Sequence, residues 1–148
     1  MNRGRIGRAM DILMVENSPA DVRLVQEILR LSNRDLQLHT VMDGVAAMSF
    51  LRREGDYADV PRPYLILLDL NLPKKDGFQV LSEIKEDLDL RSIPVIVLTT
   101  SVAQEDIQKA YKLLANCYII KPIDLDDFVR VVRIIEDFWL ATVRLPVR

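Results

Sequence analysis

The sequence predicts an α/β fold, a doubly wound arrangement in which five parallel β-strands alternate with five α-helices. Two observations carry this prediction. Apolar runs typical of strands alternate along the chain with segments whose apolar residues recur every three or four positions, as in amphipathic helices. The central run, Tyr64–Leu68, is apolar throughout, which is typical of a parallel strand that helices cover on both faces.

The strands are predicted from apolar runs that end at turn residues or polar side chains. The run Leu36–Val41 is half polar and is therefore assigned to an edge of the sheet. The predicted strands are residues 11–15, 36–41, 64–68, a run that begins at Ile93 and a run that begins at Cys117.

The helices are predicted from their apolar spacing and from the residues that begin them. Ser18-Pro19 opens the first helix, because serine caps a helix and proline suits its first turn. Asp43 is the expected cap of the second helix. The predicted helices are residues 19–32, 44–53, 78–87, 104–114 and 125–140.

Size and charge narrow the class of protein. A chain of 148 residues with 49% hydrophobic and 28% charged residues is typical of one globular domain. Its net charge of -2 provides no basic field for nucleic acid, and no apolar run approaches the roughly 20 residues of a membrane span. The single Cys117 argues against a disulfide framework and favours a reducing, cytoplasmic location. We expect residues 1–9 to form a flexible arm and residues 10–148 to form the domain, with no output domain.

Polar residues follow four of the predicted strands. In strand order they are Glu16 with Asn17, Asp69, Thr99 with Thr100, and Lys121. The carboxyl ends of parallel strands meet at one edge of a sheet, where open α/β folds hold their ligands. Two acids, a hydroxyl and an ammonium at one edge therefore predict a site for a divalent metal ion and a phosphoryl group.

Asp69 is the candidate nucleophile, because a carboxylate can attack phosphorus and form an aspartyl phosphate. A hard cation must then offset the repulsion between the acids and the phosphoryl group, and Mg²⁺ suits oxygen ligands. Its candidate ligands are Glu16, the Asn17 side chain, Asp69 and the Asn71 backbone carbonyl. Lys121 would pair with the carboxylate and then with the phosphate, and the Thr99 hydroxyl would donate to a phosphate oxygen.

Two classes of enzyme compete with this interpretation, and both lack a required feature. A phosphatase of the haloacid dehalogenase type also uses an aspartate nucleophile, but it needs a general acid two residues later, where this chain has Asn71. A dinucleotide-binding enzyme needs a Gly-x-Gly-x-x-Gly turn after a strand, and no predicted strand is followed by one. We therefore do not expect an enzyme.

The order and spacing of the site residues resemble the receiver domain of two-component response regulators. The resemblance covers about residues 10–140 and rests on Glu16-Asn17, Asp69 with Asn71-Leu72-Pro73 and Asp76-Gly77, Thr99, and Lys121-Pro122. It implies a (βα)5, flavodoxin-like sheet of order 2-1-3-4-5. It also implies that a histidine kinase transfers a phosphoryl group to the central aspartate and that this transfer requires Mg²⁺.

The same resemblance assigns roles by position. Asp69 corresponds to the phosphoacceptor, and the phosphoryl-binding and switch residues correspond to Thr99, Thr100, Lys121 and Tyr118. Phosphorylation would draw Thr99 toward the phosphoryl group and let Tyr118 turn inward. Pro122 corresponds to a proline that follows a cis peptide bond.

A narrower resemblance points to the single-domain regulators that are paired with cyanobacterial phytochromes. It is carried by residues 67–77, 98–101, 115–119 and 135–140. It implies that the partner is a phytochrome-type sensor histidine kinase.

One position departs from the receiver pattern. Receivers carry two adjacent acids after the first strand, and Asn17 replaces the second, which is the acid that binds the metal directly. Because an amide oxygen can still ligate, we expect weakened Mg²⁺ affinity. The alternative is a degenerate receiver, a phosphorylation-independent protein-interaction module whose metal site Asn17 has disrupted.

The signal is expected to leave through the face formed by the fourth helix, the fifth strand and the last helix. The last helix carries more apolar residues than one core-facing stripe requires, and the consecutive residues Phe138, Trp139 and Leu140 cannot share one helix face. We expect a homodimer through this face, with Phe128, Phe138 and Trp139 in the contact.

Overall fold

The computed structural model describes residues 10–146, so the predicted arm at residues 1–9 lies outside the described part of the chain. Five strands form one parallel sheet of order β2-β1-β3-β4-β5, which confirms the predicted fold and strand order. The strands are β1 (Met10–Val15), β2 (Leu36–Val41), β3 (Leu65–Leu68), β4 (Val95–Thr99) and β5 (Cys117–Ile120). The half-polar second strand lies at an edge, as its composition predicts.

One α-helix follows each strand, at positions close to the predicted ones. The helices are α1 (Pro19–Arg30), α2 (Gly44–Arg52), α3 (Gly77–Glu86), α4 (Gln104–Lys112) and α5 (Leu125–Ile135), with a short 3₁₀ turn at Gly55–Tyr57. Among the described residues, no helix has both the length and the apolar character needed to cross a membrane.

The last helix differs from its prediction, because α5 ends at Ile135 and the chain continues as a π-helix over Glu136–Thr142. The Glu136 carboxylate is buried there and accepts hydrogen bonds from the Ser32 hydroxyl and the Arg34 guanidinium. These bonds tie the end of α5 to the loop between α1 and β2.

Alternate residues of the central strand pack on opposite faces of the sheet, because successive strand side chains point to opposite sides. Leu65 and Leu67 pack among residues of α1 and α5, whereas Ile66 and Leu68 pack among residues of α2, α3 and α4. All four are buried. The strand that leads to Asp69 is therefore held on both faces.

Side-chain caps fix the start of four helices close to the carboxyl edge of the sheet. Ser18 and Asp43 cap α1 and α2 as predicted, and Asp124 caps α5. Asp76 caps α3 in a reciprocal capping box with Gln79. Because a cap satisfies amides of the first helical turn, it also fixes where the preceding loop ends.

The loop after β3 returns to the end of that strand at a position that only glycine fits. The Gly77 amide donates to the Leu70 carbonyl at 3.0 Å. A Cβ on Gly77 would lie 2.3 Å from the Asp69 carbonyl oxygen and 2.5 Å from the Leu70 Cα. Both neighbours are backbone atoms that cannot swing away, so Gly77 allows α3 to begin directly against the end of β3.

We predict that Gly77→Ala lowers the free energy of unfolding by about 1–3 kcal/mol, because the added methyl overpacks this contact. Urea denaturation measures the loss, and amide NMR shifts should report movement around Asp69. Gly55→Ala is the control, since a Cβ there has no heavy atom within 4 Å and only the positive φ of +58° opposes it. Unchanged amide shifts at Asp69 in Gly77→Ala would contradict the prediction.

Candidate functional site

Buried polar side chains mark the carboxyl edge of the sheet. Within residues 10–146 the buried polar or charged residues are Glu16, Asp69, Thr99, Lys121 and Glu136. All except Glu136 belong to the site predicted from the sequence, and each follows or ends a different strand.

Backbone hydrogen bonds fix the position of these residues by extending the sheet past its regular strands. The Asp69 amide donates to the Val15 carbonyl at 3.0 Å, and the Lys121 amide donates to the Thr99 carbonyl at 2.7 Å. The expectation of a cis peptide bond before Pro122 is wrong, since the described residues contain no cis peptide bond. Lys121 still reaches the site, because the end of β5 and its acidic neighbours direct it there.

The Lys121 ammonium lies among three carboxylates. Its Nζ is 2.6 Å from Glu16 Oε1, 2.9 Å from Asp21 Oδ2 and 3.6 Å from Asp69 Oδ2. The first two are hydrogen-bond distances, whereas the third is an ion pair beyond hydrogen-bond length. The side chains of Lys121 and Glu16 are only 6% and 2% exposed, so each charge needs the other to offset the cost of burial.

The other oxygens of two carboxylates are held by backbone amides. The Asn71 amide donates to Asp69 Oδ1 at 3.4 Å, and the Ser18 amide donates to Glu16 Oε2 at 3.2 Å. Each carboxylate is thus held on one side by the backbone and faces Lys121 with its second oxygen.

Burial shifts the pKa of both charged partners. Burial raises the pKa of Glu16 to about 7 against the lowering effect of its hydrogen bond to Lys121, and the charge of Asp69 adds to the rise. For Lys121, burial favours a lower pKa, but hydrogen bonds to Glu16 and Asp21 outweigh it, so the pKa is raised. The lysine therefore remains charged at neutral pH.

The predicted switch residues lie on β4 and β5 and in the segment that follows β4. Thr99 is buried, and Thr100 is exposed. Tyr118 is half-buried, packs against the apolar cluster on the α2–α3–α4 side of the sheet, and donates its hydroxyl to the Ser101 carbonyl at 3.0 Å. A hydrogen bond thus connects β5 to the segment that follows β4.

The oxygen atoms predicted to bind a cation belong to two carboxylates and to neutral groups. Asn17 and Asn71 are exposed at the mouth of the site beside the buried Glu16 and Asp69. Among the described residues, no group of three or more His, Cys, Asp or Glu side chains is placed to hold a metal ion. Two carboxylates with amide and carbonyl oxygens nevertheless form a donor set that suits a hard cation which keeps several waters.

Asp21 is a site residue that the sequence analysis missed. It lies in the first turn of α1, where its amide donates to the Ser18 cap at 3.3 Å. The amphipathic pattern of α1 assigns Asp21 only to the polar, solvent-facing side of the helix. The signal that could have revealed it is its place in the first turn of the helix that follows Glu16, because that turn lies at the same edge of the sheet.

The residues predicted for a dimer contact are placed differently from one another. The prediction that Phe128 lies in a dimer contact is wrong, because this side chain is only 4% exposed. It packs in the core with Val132 and Ile135, which share its face of α5. Trp139 is half-buried against the same core, whereas Phe138 is exposed.

Other exposed apolar side chains lie on α4 and β5, in the loops before and after β5, and at the start of α5. They are Tyr111, Leu114, Ile120, Ile123 and Leu125, and we call this set the α4–β5–α5 patch. The Tyr111 hydroxyl accepts a hydrogen bond from the Tyr118 amide at 3.1 Å. This bond satisfies an amide on the edge strand of the sheet.

Comparison with known proteins identifies the class to which this fold and site belong. Residues 12–133 match the family model of the response regulator receiver domain, so the chain belongs to that family. Receiver domains are signalling modules of phosphorelays, and the chain is a response regulator of this kind.

Individual relatives narrow the class to regulators related to cyanobacterial phytochromes. Response regulator Rcp1 of Synechocystis is 56% identical over 91% of this chain and 92% of that protein. The structure of the phosphorylated cyanobacterial phytochrome response regulator RcpA matches with a TM-score of 0.92 and 51% identity, over 95% of this chain and 100% of that one. The structure of the Mn²⁺-bound form of Rcp1 matches with a TM-score of 0.90 and 54% identity, over 93% and 99%.

The raised pKa of Glu16 predicts a stability that depends on pH. Its pKa is about 7 in the folded protein against an ordinary value of 4.5, so its stabilising contribution is complete below about pH 4.5 and is lost as the pH rises through 7. We predict that the unfolding free energy of Glu16→Gln rises relative to the wild type between pH 5 and pH 8. Urea denaturation in the presence of a chelator measures this difference. The exposed Glu27→Gln is the control, and a difference that does not change with pH would contradict the prediction.

Proposed function

We propose that this protein accepts a phosphoryl group on Asp69 from a sensor histidine kinase and signals through the surface formed by α4, β5 and α5. The observation that carries the proposal is the buried Lys121 ammonium, 3.6 Å from the Asp69 carboxylate. An aspartate that only ended a strand would need no buried lysine beside it. A nucleophile that becomes an acyl phosphate does need one, because the modification adds further negative charge.

In this function each side chain has a separate part in phosphoryl transfer. An Asp69 oxygen attacks the phosphorus of a phosphohistidine, so an O–P bond forms as the N–P bond breaks and the imidazole nitrogen retains the electron pair. The Asn71 amide fixes the orientation of the carboxylate. Lys121 offsets the charge of the phosphoryl oxygens, and the Thr99 hydroxyl donates to one of them.

Mg²⁺ is the cofactor that we assign to this reaction. Its ligands are taken to be Glu16, Asp69, the Asn17 side chain and the Asn71 carbonyl. When bound, it supplies the positive charge that lets an anionic phosphoryl group approach carboxylates. The Mn²⁺ in the Rcp1 structure supports a divalent ion in this kind of site.

A phytochrome-type sensor histidine kinase is the partner that we assign. Support comes from the similarity to RcpA and Rcp1 over nearly their whole length. We place the reaction in the cytoplasm, in keeping with the unpaired thiol of Cys117. No part in binding nucleic acid or membranes is proposed.

Phosphorylation becomes a signal by shifting the balance between two arrangements of the segment after β4. The added charge draws the Thr99 hydroxyl toward the phosphoryl group. Tyr118 responds to that movement because its hydroxyl is bonded to Ser101 in the same segment. The altered surface then lies next to the α4–β5–α5 patch.

We predict that acetyl phosphate with Mg²⁺ adds one phosphoryl group to the wild type and none to Asp69→Asn. Intact mass measured before and after hydroxylamine treatment tests this, since hydroxylamine cleaves an acyl phosphate. Asp56→Asn, which removes an exposed acid in the 3₁₀ turn, is the control and should be labelled like the wild type. Absence of labelling in the wild type would instead support the degenerate receiver.

We further propose that the α4–β5–α5 patch joins two copies of this chain. Each of its five apolar side chains is exposed, and several large apolar side chains left in water are typical of an interaction surface. Lys112 lies in the last turn of α4, and Asp126 lies in the first turn of α5. A twofold axis can bring α4 of one copy to α5 of the other, so that these opposite charges meet.

We predict that Ile123→Glu converts a dimer into a monomer, because Ile123 is the most exposed residue of the α4–β5–α5 patch. Sedimentation velocity at high micromolar concentration measures the change. Leu88→Glu is the matched control, since Leu88 is an exposed apolar residue after α3, outside the patch. A wild-type monomer at this concentration, with and without a phosphoryl analogue, would disprove the dimer.

A further inference from the structure

Asp21 competes with the phosphoacceptor for the same ammonium. An ammonium has three N–H donors, and that of Lys121 gives hydrogen bonds to Glu16 at 2.6 Å and to Asp21 at 2.9 Å. Asp69 lies further away, at 3.6 Å. In this arrangement the lysine is directed toward α1 rather than toward the residue that receives the phosphoryl group.

The position of Asp21 is fixed by the backbone around it. Its amide donates to the Ser18 cap, and the Ser18 amide in turn donates to Glu16. The two carboxylates that hold Lys121 are therefore connected through one helix start. Asp21 is also the more accessible of the two, with a side chain 29% exposed against 2% for Glu16, so it can release the lysine at lower cost.

We propose that Asp21 is a positioning residue that holds Lys121 away from Asp69 and thereby weakens the binding of a phosphoryl group. The inference rests on the proposed function of Asp69. When the phosphoryl oxygens arrive, they must replace Asp21 as acceptors of the lysine. The Asp21–Lys121 bond therefore sets part of the free energy difference between the unmodified and modified states.

The amide at position 17 makes this competition more important. Asn17 contributes no charge, so the three carboxylates around Lys121 are those of Glu16, Asp21 and Asp69. Removal of Asp21 leaves an ammonium with two acidic neighbours, one of which is the phosphoacceptor. The lysine is then free to turn toward Asp69.

The test measures binding of fluoroberyllate, a phosphoryl analogue, in the presence of Mg²⁺. Asp21→Asn keeps the size of the side chain and should bind fluoroberyllate about three- to tenfold more tightly than the wild type, as expected for one partly exposed ion pair. Glu27→Gln removes an exposed charge from the same helix and should leave the affinity unchanged. An equal or weaker affinity of Asp21→Asn would overturn the inference.

The same measurement in a Lys121→Gln background separates positioning from a simple field effect. If Asp21 acts through the lysine, Asp21→Asn has no further effect once Lys121 is replaced. If the negative charge of Asp21 acts directly on the anion, the improvement persists in that background, and the inference is wrong.

An NMR measurement on the side-chain ammonium provides a second, independent test. A Lys121 ammonium bonded as described is protected from exchange, and its ¹⁵N signal should change in Asp21→Asn but not in Glu27→Gln. An unchanged signal in Asp21→Asn would overturn the inference even if Lys121→Gln did not bind fluoroberyllate. The two tests can also disagree. If the wild type bound no fluoroberyllate but the Lys121 ¹⁵N signal still changed in Asp21→Asn, the proposed function would be refuted, whereas the Asp21–Lys121 contact would stand.

Discussion

The arrangement of one ammonium among carboxylates is the interaction on which the site depends. A buried charge is costly unless it is paired and hydrogen-bonded, and neither Glu16 nor Lys121 has enough exposure to be solvated by water alone. Their pairing is possible only if the ends of β1 and β5 are held in register with β3 and β4 between them. The packed sheet supplies that register. The pairing of Glu16 with Lys121 in turn offsets the cost of burying the charges at those strand ends.

The sequence was sufficient to predict the sheet and most of the site because both follow from local patterns. The apolar run of β3 and the alternating helix signals led to the parallel sheet, whereas its strand order came from the resemblance to receiver domains. The residues that end or follow the strands led to Glu16, Asp69, Thr99 and Lys121. Parallel strands carry such residues to one edge whatever the details of packing. This is why a one-dimensional pattern could locate a three-dimensional site.

What the sequence did not predict depends on the rotation of helices about their own axes. Asp21 and Phe128 both lie within helices that the sequence predicts, but the directions of their side chains depend on how each helix packs. Phe128 joined the core because it shares a face with Val132 and Ile135. The π-helix that follows α5 depends on a contact between distant segments, in which Glu136 is bonded to Ser32 and Arg34. No local pattern contains that information.

The hydrogen bond from the Tyr118 amide to the Tyr111 hydroxyl affects how this surface can bind another protein. An edge strand with free amides can add a strand from a second molecule by backbone pairing, which leads to open-ended assembly. Here a side chain of α4 already occupies that amide and lies across the edge. That amide is therefore closed to backbone pairing, which protects this part of the edge strand from open-ended association.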